Sequence, residues 1–181
     1  MSARRPAAFL DRDGVINIDH GYVSRWEDFS FVPGAVDGLR RLQAAGYALV
    51  IVTNQSGVAR GYYDEAAVLR LHDTLQEHLA QQGITLAAIE YCPHLPDAQL
   101  PRYALDCDCR KPAPGMILRS AEALDIDLAG SLMFGDKPSD VEAGRAAGVG
   151  RRVLLAKNGQ PTPSAVDYLD LPQALDALGI A

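Results

Sequence analysis

Short apolar runs and amphipathic segments alternate along the chain. AAFLD (7–11) is apolar up to a terminal acid and reads as a first strand. The segment PGAVDGLRRLQAAG (33–46) has Val36, Leu39 and Leu42 on one helical face, with Pro33 suited to the first turn and Gly46 a natural stop. YALVIVT (47–53) is a continuous apolar run of strand length, as expected of a parallel strand buried on both faces. A second helix is predicted from a cap at Asp64 to Gly83, with Val68, Leu71, Leu75 and Leu79 as its apolar stripe. LAAIEYC (86–92) is a third strand, residues 93–113 a Pro-rich loop, and Pro114 opens a helix running to Leu124. Strand 131–136, helix 138–148, strand 151–155, a loop at 157–164 and helix 171–178 complete the series.

Such alternation predicts an α/β fold, a parallel sheet with helices on both faces. The 181 residues fit a single domain, 1–181, with a buried core and no internal repeat or linker. The composition, 48% hydrophobic and 22% charged, is that of a folded globular protein. The formal net charge of -6 argues against nucleic acid or an anionic membrane as the main partner. No apolar run reaches the roughly 20 residues of a membrane span, and the run near the N-terminus is cut at Asp11, too short for a signal peptide. The expectation is a cytoplasmic protein with reduced thiols.

The chemistry concentrates where strands end. Ligands of open α/β sheets bind beyond the carboxyl ends of the strands. There the sequence places Asp11 and Asp13 (FLDRDG), Thr53 and Asn54 (VTN), and Asp136 (FGD), with Lys111 supplied by the loop after the third strand. Two acids, a hydroxyl, a lysine and a further acid are the groups that Mg²⁺-dependent phosphoryl transfer needs. A carboxylate is an ionised nucleophile at neutral pH and can carry a phosphoryl group. Its repulsion from a phosphate dianion calls for Mg²⁺ on oxygen ligands and for a lysine ammonium. Asp13, two residues beyond Asp11, is placed to protonate the departing oxygen and later to deprotonate water.

All three cysteines and one histidine fall in a single stretch, Cys92-x-His94-x₁₂-Cys107-x-Cys109. Three thiols cannot all pair internally, and Cys₃His is a closed tetrahedral zinc set. A zinc loop at 92–109 is therefore expected. The ion would be structural, folding a loop with no hydrophobic core of its own and fixing Arg110 and Lys111, which follow it directly. His72 and His78 lie on the second helix and are expected on its solvated surface.

The order hhhhDRDG, hhVTNQ, RKP, hhhGDKxxD, spanning residues 7–140, resembles the haloacid dehalogenase (HAD) superfamily of aspartate-nucleophile phosphatases. The resemblance implies a Rossmann-like HAD fold, with Asp11 as nucleophile and Asp13 as acid/base. Thr53 and Lys111 would steady the phosphoryl group, with Arg110 beside them. Mg²⁺ would be held by Asp11, the Asp13 backbone carbonyl and Asp136, with Asp140 behind them. The gaps between motifs leave no room for a separate cap domain, so recognition falls to the loops 17–29 and 54–63 and to the cysteine loop. The stretches DHGYV, TNQSGVARG, CPHLP and CDCRKPAPGM are similar to a capless subgroup acting on heptose 1,7-bisphosphate or on histidinol phosphate, and look most like its heptose branch. That likeness implies a small sugar bisphosphate as substrate, of undetermined anomer, in nucleotide-heptose and lipopolysaccharide-core synthesis. It implies substrate contacts from Asp19, His20, Tyr22, Asn54, Gln55, Ser56, Arg110 and Lys137. Arg60, Arg110 and Lys137 supply positive charge near the site of an acidic molecule.

Phospho-acceptor receiver domains also combine strand-end aspartates, a threonine and a lysine, and are the reading from another class. They place the acceptor on a middle strand and lack the second acid of Asp11-x-Asp13.

Overall fold

The computed structural model describes residues 4–181. Five parallel strands, β1 (Ala7–Leu10), β2 (Ala48–Asn54), β3 (Leu86–Cys92), β4 (Leu132–Gly135) and β5 (Arg151–Leu154), form one sheet in the order β3-β2-β1-β4-β5. Five helices connect or flank them: α1 (Ala35–Ala44), α2 (Glu65–Ala80), α3 (Gly115–Leu124), α4 (Pro138–Ala147) and α5 (Leu171–Leu178). Every predicted strand and helix is present, with ends shifted by at most three residues. The predicted loops at 93–113 and 157–164 hold short 3₁₀ turns at Pro101–Tyr103 and Lys157–Gly159.

Side-chain alternation within the strands sorts the core into two layers. Ala8 and Leu10 of β1, with Leu49 and Ile51 of β2, pack under α1, α2 and α5 through Leu39, Leu75 and Leu175. Ala7 and Phe9, with Val50, Val52 and Met133, pack on the other face under α3 and α4 through Ile117 and Ala143. Both faces of the central strands β1, β2 and β4 are covered, so these strands read as apolar runs. Parallel pairing aligns Phe9 with Val50 on one side and with Met133 on the other.

This register brings the carboxyl ends of β1, β2 and β4 side by side. β1 is the central strand. A middle-strand position therefore does not separate this chain from a receiver domain, and the distinction rests on the second acid alone.

Two further expectations are corrected. The cysteine loop is not without apolar packing: Tyr103, Leu95, Ala98 and Leu100 cluster with Val58, Ala59 and Val68. Glu65, at the start of α2, accepts from Tyr91 Oη at 2.7 Å and from Tyr103 Oη at 2.9 Å, tying the loop to the helix. Nor are His72 and His78 solvated. His72 is 4% exposed, because its side of α2 faces the sheet end. His78 is half-buried and packs on Trp26 and Phe31, with ring centroids 5.1 and 5.6 Å away.

Candidate active site

The end of β1 turns sharply, and Gly14 makes the turn possible. Its φ of +91° is left-handed, and a Cβ there would lie 2.3 Å from Asp136 Oδ2. The turn brings Asp11 and Asp13 to the sheet edge without obstructing Asp136.

Asp11 is buried, and its Oδ1 accepts from the Arg12 amide at 2.8 Å and from Lys111 Nζ at 3.0 Å. Lys111 Nζ also reaches Asp140 Oδ1 at 2.6 Å and the Val52 carbonyl at 2.7 Å. Burial acts to lower the lysine's pKa, but Asp11 and Asp140 outweigh it and hold the group above its ordinary value, hence charged. Burial, followed by the charge of Asp140, raises Asp11 against the opposing pull of Lys111 and Lys137. Asp140 Oδ2 accepts from the Lys137 amide at 3.0 Å, fixing the start of α4 against the site.

Asp136 stands apart. Both carboxylate oxygens are buried and neither has a hydrogen-bond partner. Burial and the neighbouring charge of Asp11 push its carboxyl up to about 7. Unpartnered buried carboxylate oxygens are costly. Asp11, Asp136 and Asp140 offer oxygens lying within 4.8 Å of one another. A small divalent cation between Asp11 and Asp136 fits this set, since it would satisfy the orphaned oxygens and offset the carboxylate repulsion.

The Asp13 carboxylate is committed elsewhere. Its Oδ1 accepts from Arg12 Nε (3.1 Å), Arg12 Nη2 (2.9 Å) and Asn17 Nδ2 (2.9 Å). Its Oδ2 accepts from Gln55 Nε2 at 3.0 Å. Asp13 therefore has only its main-chain carbonyl to offer a cation. Gln55 joins several groups: Nε2 also donates to Thr53 Oγ1 at 2.9 Å, and Oε1 accepts from Tyr63 Oη at 2.8 Å. Asn54 exchanges hydrogen bonds with the Lys111 main chain, donating to its carbonyl at 3.1 Å and accepting from its amide at 3.0 Å. Gln55 and Asn54, expected to touch substrate, thus also fix the groups around it.

A cleft of about 280 Å³ opens above these residues, lined by Asp13, Asp19, Tyr22, Asn54, Gln55, Ser56, Tyr63 and Lys137, among others. Asp19 is anchored by Lys157 at 2.8 Å and by the Gly21 amide at 2.9 Å. Partial burial works against ionisation of Asp19, yet these two partners hold its pKa below the ordinary value. Tyr22 is exposed, at a left-handed φ of 57°, with Tyr62 edge-on at 4.8 Å and the Arg60 guanidinium 5.9 Å from its ring. His20 is exposed and does not line the cleft. Arg110 donates to the His94 carbonyl at 3.3 Å, so the cysteine loop does hold it.

The thiol cluster lies at the end of β3. Cys92 and Cys109 Sγ are 3.0 Å apart, Cys107 Sγ lies 3.6 and 3.4 Å from them, and His94 Nδ1 is 3.3 Å from Cys109 Sγ. The four ligand atoms converge within 4.8 Å, spacing that suits one thiophilic ion at their centre.

Three features escaped the sequence reading. Arg12, between the two acids, is fully buried and grips Asp13. His72 reaches Arg12 from α2. Tyr63 holds Gln55. The available signal for Arg12 was a charged residue placed directly after a doubly buried strand, where a lone cation requires partners.

Comparison with known proteins agrees with the geometry. Residues 108–175 match the HAD-hydrolase-like family model. The chain is 45% identical over 98% of its length to the D-glycero-beta-D-manno-heptose-1,7-bisphosphate 7-phosphatase of Photorhabdus laumondii, covering 99% of that protein. It is 46% identical over 97% of its length to the enzyme of the same name from Escherichia coli K12, covering 96% of it. The D,D-heptose 1,7-bisphosphate phosphatase of B. bronchiseptica, solved with magnesium and phosphate, superposes with a TM-score of 0.79 at 36% identity, over 96% of this chain and 97% of the other. With its strand-end acids, buried lysine and near-full-length relatives, this chain belongs to the D-glycero-beta-D-manno-heptose-1,7-bisphosphate 7-phosphatase family of HAD-like hydrolases.

Proposed function

We propose that this protein, a single capless domain, hydrolyses the 7-phosphate of D-glycero-beta-D-manno-heptose 1,7-bisphosphate through an aspartyl-phosphate on Asp11. The observation that carries the reading is the buried triad of Asp11, Lys111 and the unpartnered Asp136, whose chain neighbour Lys137 lines the cleft. The substrate assignment is supported by relatives that carry the heptose name at 45–46% identity over nearly the whole chain.

In the first step an Asp11 carboxylate oxygen attacks phosphorus and the bond to the C7 oxygen breaks. Asp13 Oδ2 gives its proton to that oxygen, so the heptose leaves as a neutral alcohol. In the second, water attacks the same phosphorus, Asp13 Oδ2 takes the water's proton, and the bond to Asp11 breaks to release inorganic phosphate. Lys111 and Thr53 hold non-bridging phosphoryl oxygens, and Lys137 and Arg110 add positive charge for a doubly phosphorylated substrate. Asp11, Asp136 and the Asp13 carbonyl would hold Mg²⁺, which when bound supplies the charge neutralisation that lets a carboxylate approach a phosphate dianion. Asp19, Tyr22, Asn54, Gln55, Ser56 and the exposed His20 would meet the sugar and its C1 phosphate. The product keeps that C1 phosphate, the handle a nucleotidyl transfer needs.

Cys92, His94, Cys107 and Cys109 would hold zinc with no position left for water, so the ion would serve the loop that carries Arg110 and Lys111. Among the described residues no helix is long and apolar enough to cross a membrane. A soluble substrate of this kind suits a cytoplasmic monomer.

The test is Mg²⁺-dependent phosphate release from heptose 1,7-bisphosphate and from histidinol phosphate, side by side, with Asp11→Asn as the blank. The expected result is a kcat/KM preference of at least about 100-fold for the heptose, the scale set by pairing or stranding a polar site. A preference for histidinol phosphate would keep the mechanism and overturn the substrate. No turnover of either would return the receiver-like reading.

A further inference from the structure

The proposed mechanism leaves unused the largest fully buried side chain among the described residues. Arg12 is 0% exposed, and its guanidinium is held on three sides. Nε and Nη2 grip Asp13 Oδ1 at 3.1 and 2.9 Å. Nη2 also donates to the Val23 carbonyl at 2.7 Å, on the loop that carries Asp19 and Tyr22. Nη1 lies 3.0 Å from His72 Nε2, on α2. An arginine has no acceptor capacity, so His72 Nε2 must be the acceptor and the imidazole is neutral with its proton on Nδ1. The only ion pair Arg12 makes among the described residues is with Asp13.

The grip is one-sided. Asn17 adds a third donor to Oδ1, whereas Oδ2 of this cleft-lining residue has Gln55 alone. Three donors pin one oxygen and leave the other as the oxygen for proton exchange. Both guanidinium donors converge on Oδ1 and fix its position, and Gln55 on Oδ2 sets the plane of the carboxylate. The fork is itself fixed from two elements, helix α2 through His72 and the substrate loop through Val23.

We propose that Arg12 and His72 form a buried positioning relay that sets the Asp13 carboxylate with Oδ2 toward the departing oxygen and the attacking water. Neither residue touches substrate. The proposal rests on Asp13 being the acid/base. A misplacement of about 1 Å at a reacting group can cost 10²-fold, comparable to the 10²–10⁴ that general acid/base catalysis supplies.

The test exploits the leaving group. Transfer of the phosphoryl group from heptose 1,7-bisphosphate to Asp11 needs a proton on the departing alcohol, whereas 4-nitrophenolate leaves without one. Single-turnover transfer from each substrate is measured for His72→Leu, which removes the acceptor; His72→Gln, whose Oε1 restores an acceptor near the Nε2 position; Arg12→Lys, which keeps charge but loses the fork; and Asp13→Asn as reference. The expected result is that His72→Leu and Arg12→Lys slow transfer from the heptose by about 30-fold or more and from 4-nitrophenyl phosphate by less than about threefold, with KM for both nearly unchanged and His72→Gln close to the parent. Equal losses on both substrates would mean general structural damage and overturn the relay, as would no loss, or a loss that glutamine does not rescue. If His72→Leu fails to fold, the split in Arg12→Lys decides. If Asp13→Asn shows the split and the relay variants do not, the relay alone falls. If Asp13→Asn transfers from both substrates like the parent, the acid/base reading falls and the relay with it.

Discussion

The chain gathers two sets of side chains whose atoms converge as metal ligands do, and they differ in almost every respect. Asp11 and Asp136 project from the ends of β1 and β4, strands fixed by the sheet, and offer hard oxygens beside a cleft. Cys92, His94, Cys107 and Cys109 come from the end of β3 and the two ends of one loop, and offer soft sulfur and nitrogen. The first set leaves both Asp136 oxygens without partners, so it is incomplete until something enters. The second uses all of its ligands on one point and leaves no vacancy. An oxygen site preformed by the sheet would exchange a cation and a phosphate with solvent, whereas a sulfur site drawn from a loop would be organised by the ion it bound. Lys111 and Arg110 lie where the two meet: both follow the thiol loop directly, Lys111 reaching the acids Asp11 and Asp140 and Arg110 held to the His94 carbonyl.

Breaking the first set should abolish chemistry and spare the fold. Asp11→Asn is expected to lower kcat by about four orders of magnitude or more, the scale of removing a nucleophile, with a melting temperature within a few degrees of the parent. Residual turnover above about one per cent in steady-state assays would contradict it.

Proton competition sharpens the contrast. Because burial and Asp11 raise Asp136 to about 7, a cation must displace a proton from it at lower pH. Apparent Mg²⁺ affinity is therefore expected to rise by up to about tenfold per pH unit below pH 7 and to level off above it. In the cation-free protein the sign for stability is the reverse. The folded state holds this proton when the unfolded chain has lost it, so stability from this group falls as pH rises from about 4 to 7. Calorimetric titration of Mg²⁺ from pH 5 to 8 checks the first statement, and a pH-independent affinity would contradict it.

Breaking the second set should do the opposite of Asp11→Asn. Cys107→Ser is expected to reduce bound zinc to near zero and to cost about 3 kcal/mol, or roughly 6–12 °C in melting temperature for a chain of this size. The loop keeps its Tyr103 and Leu100 packing and its ties to Glu65, so activity should fall without vanishing. Unchanged zinc content and melting temperature would remove the structural-zinc reading.

The last prediction concerns acid stability and His72, which joins neither set. Burial, with Arg12 beside it, lowers its pKa from 6.5 to about 3. The unfolded chain then binds a proton that the folded protein does not between those values. The contribution is fully present above the unfolded value and is lost as pH falls, by about 1.4 kcal/mol per pH unit between roughly pH 6 and 3. His72→Gln should flatten that part of the stability profile in denaturant titrations. An unaltered slope would place His72 outside the acid sensitivity.

What was legible in the sequence followed from covalent order. Doubly buried strands read as apolar runs, so their ends could be located, and Asp11, Thr53 and Asp136 with them. Four thiophilic ligands in eighteen residues, Cys92 to Cys109, required no tertiary knowledge to assemble. What was not legible depended on rotation and distance. Helix α2 was found, but which side its histidines face depends on how it packs, and His72 turned inward to Arg12 across sixty positions. Asn54 and Gln55 look like loop residues free to meet substrate, yet their side chains are drawn to Lys111, Asp13 and Thr53 once β2 and the cysteine loop are adjacent. Glu65 joins Tyr91 and Tyr103 across separations that no local pattern encodes.

The central claim is that Asp11 carries the phosphoryl group. The direct measurement is to mix Asp13→Asn protein with Mg²⁺ and 4-nitrophenyl phosphate, quench in acid, reduce with borohydride and map the peptides by mass. An acyl phosphate on Asp11 is reduced to the alcohol, whereas a free carboxylate is not. The account predicts substrate-dependent reduction at Asp11 and at no other acid. Reduction at Asp136 or Asp140, or burst release of nitrophenol with Asp11 left intact, would contradict it.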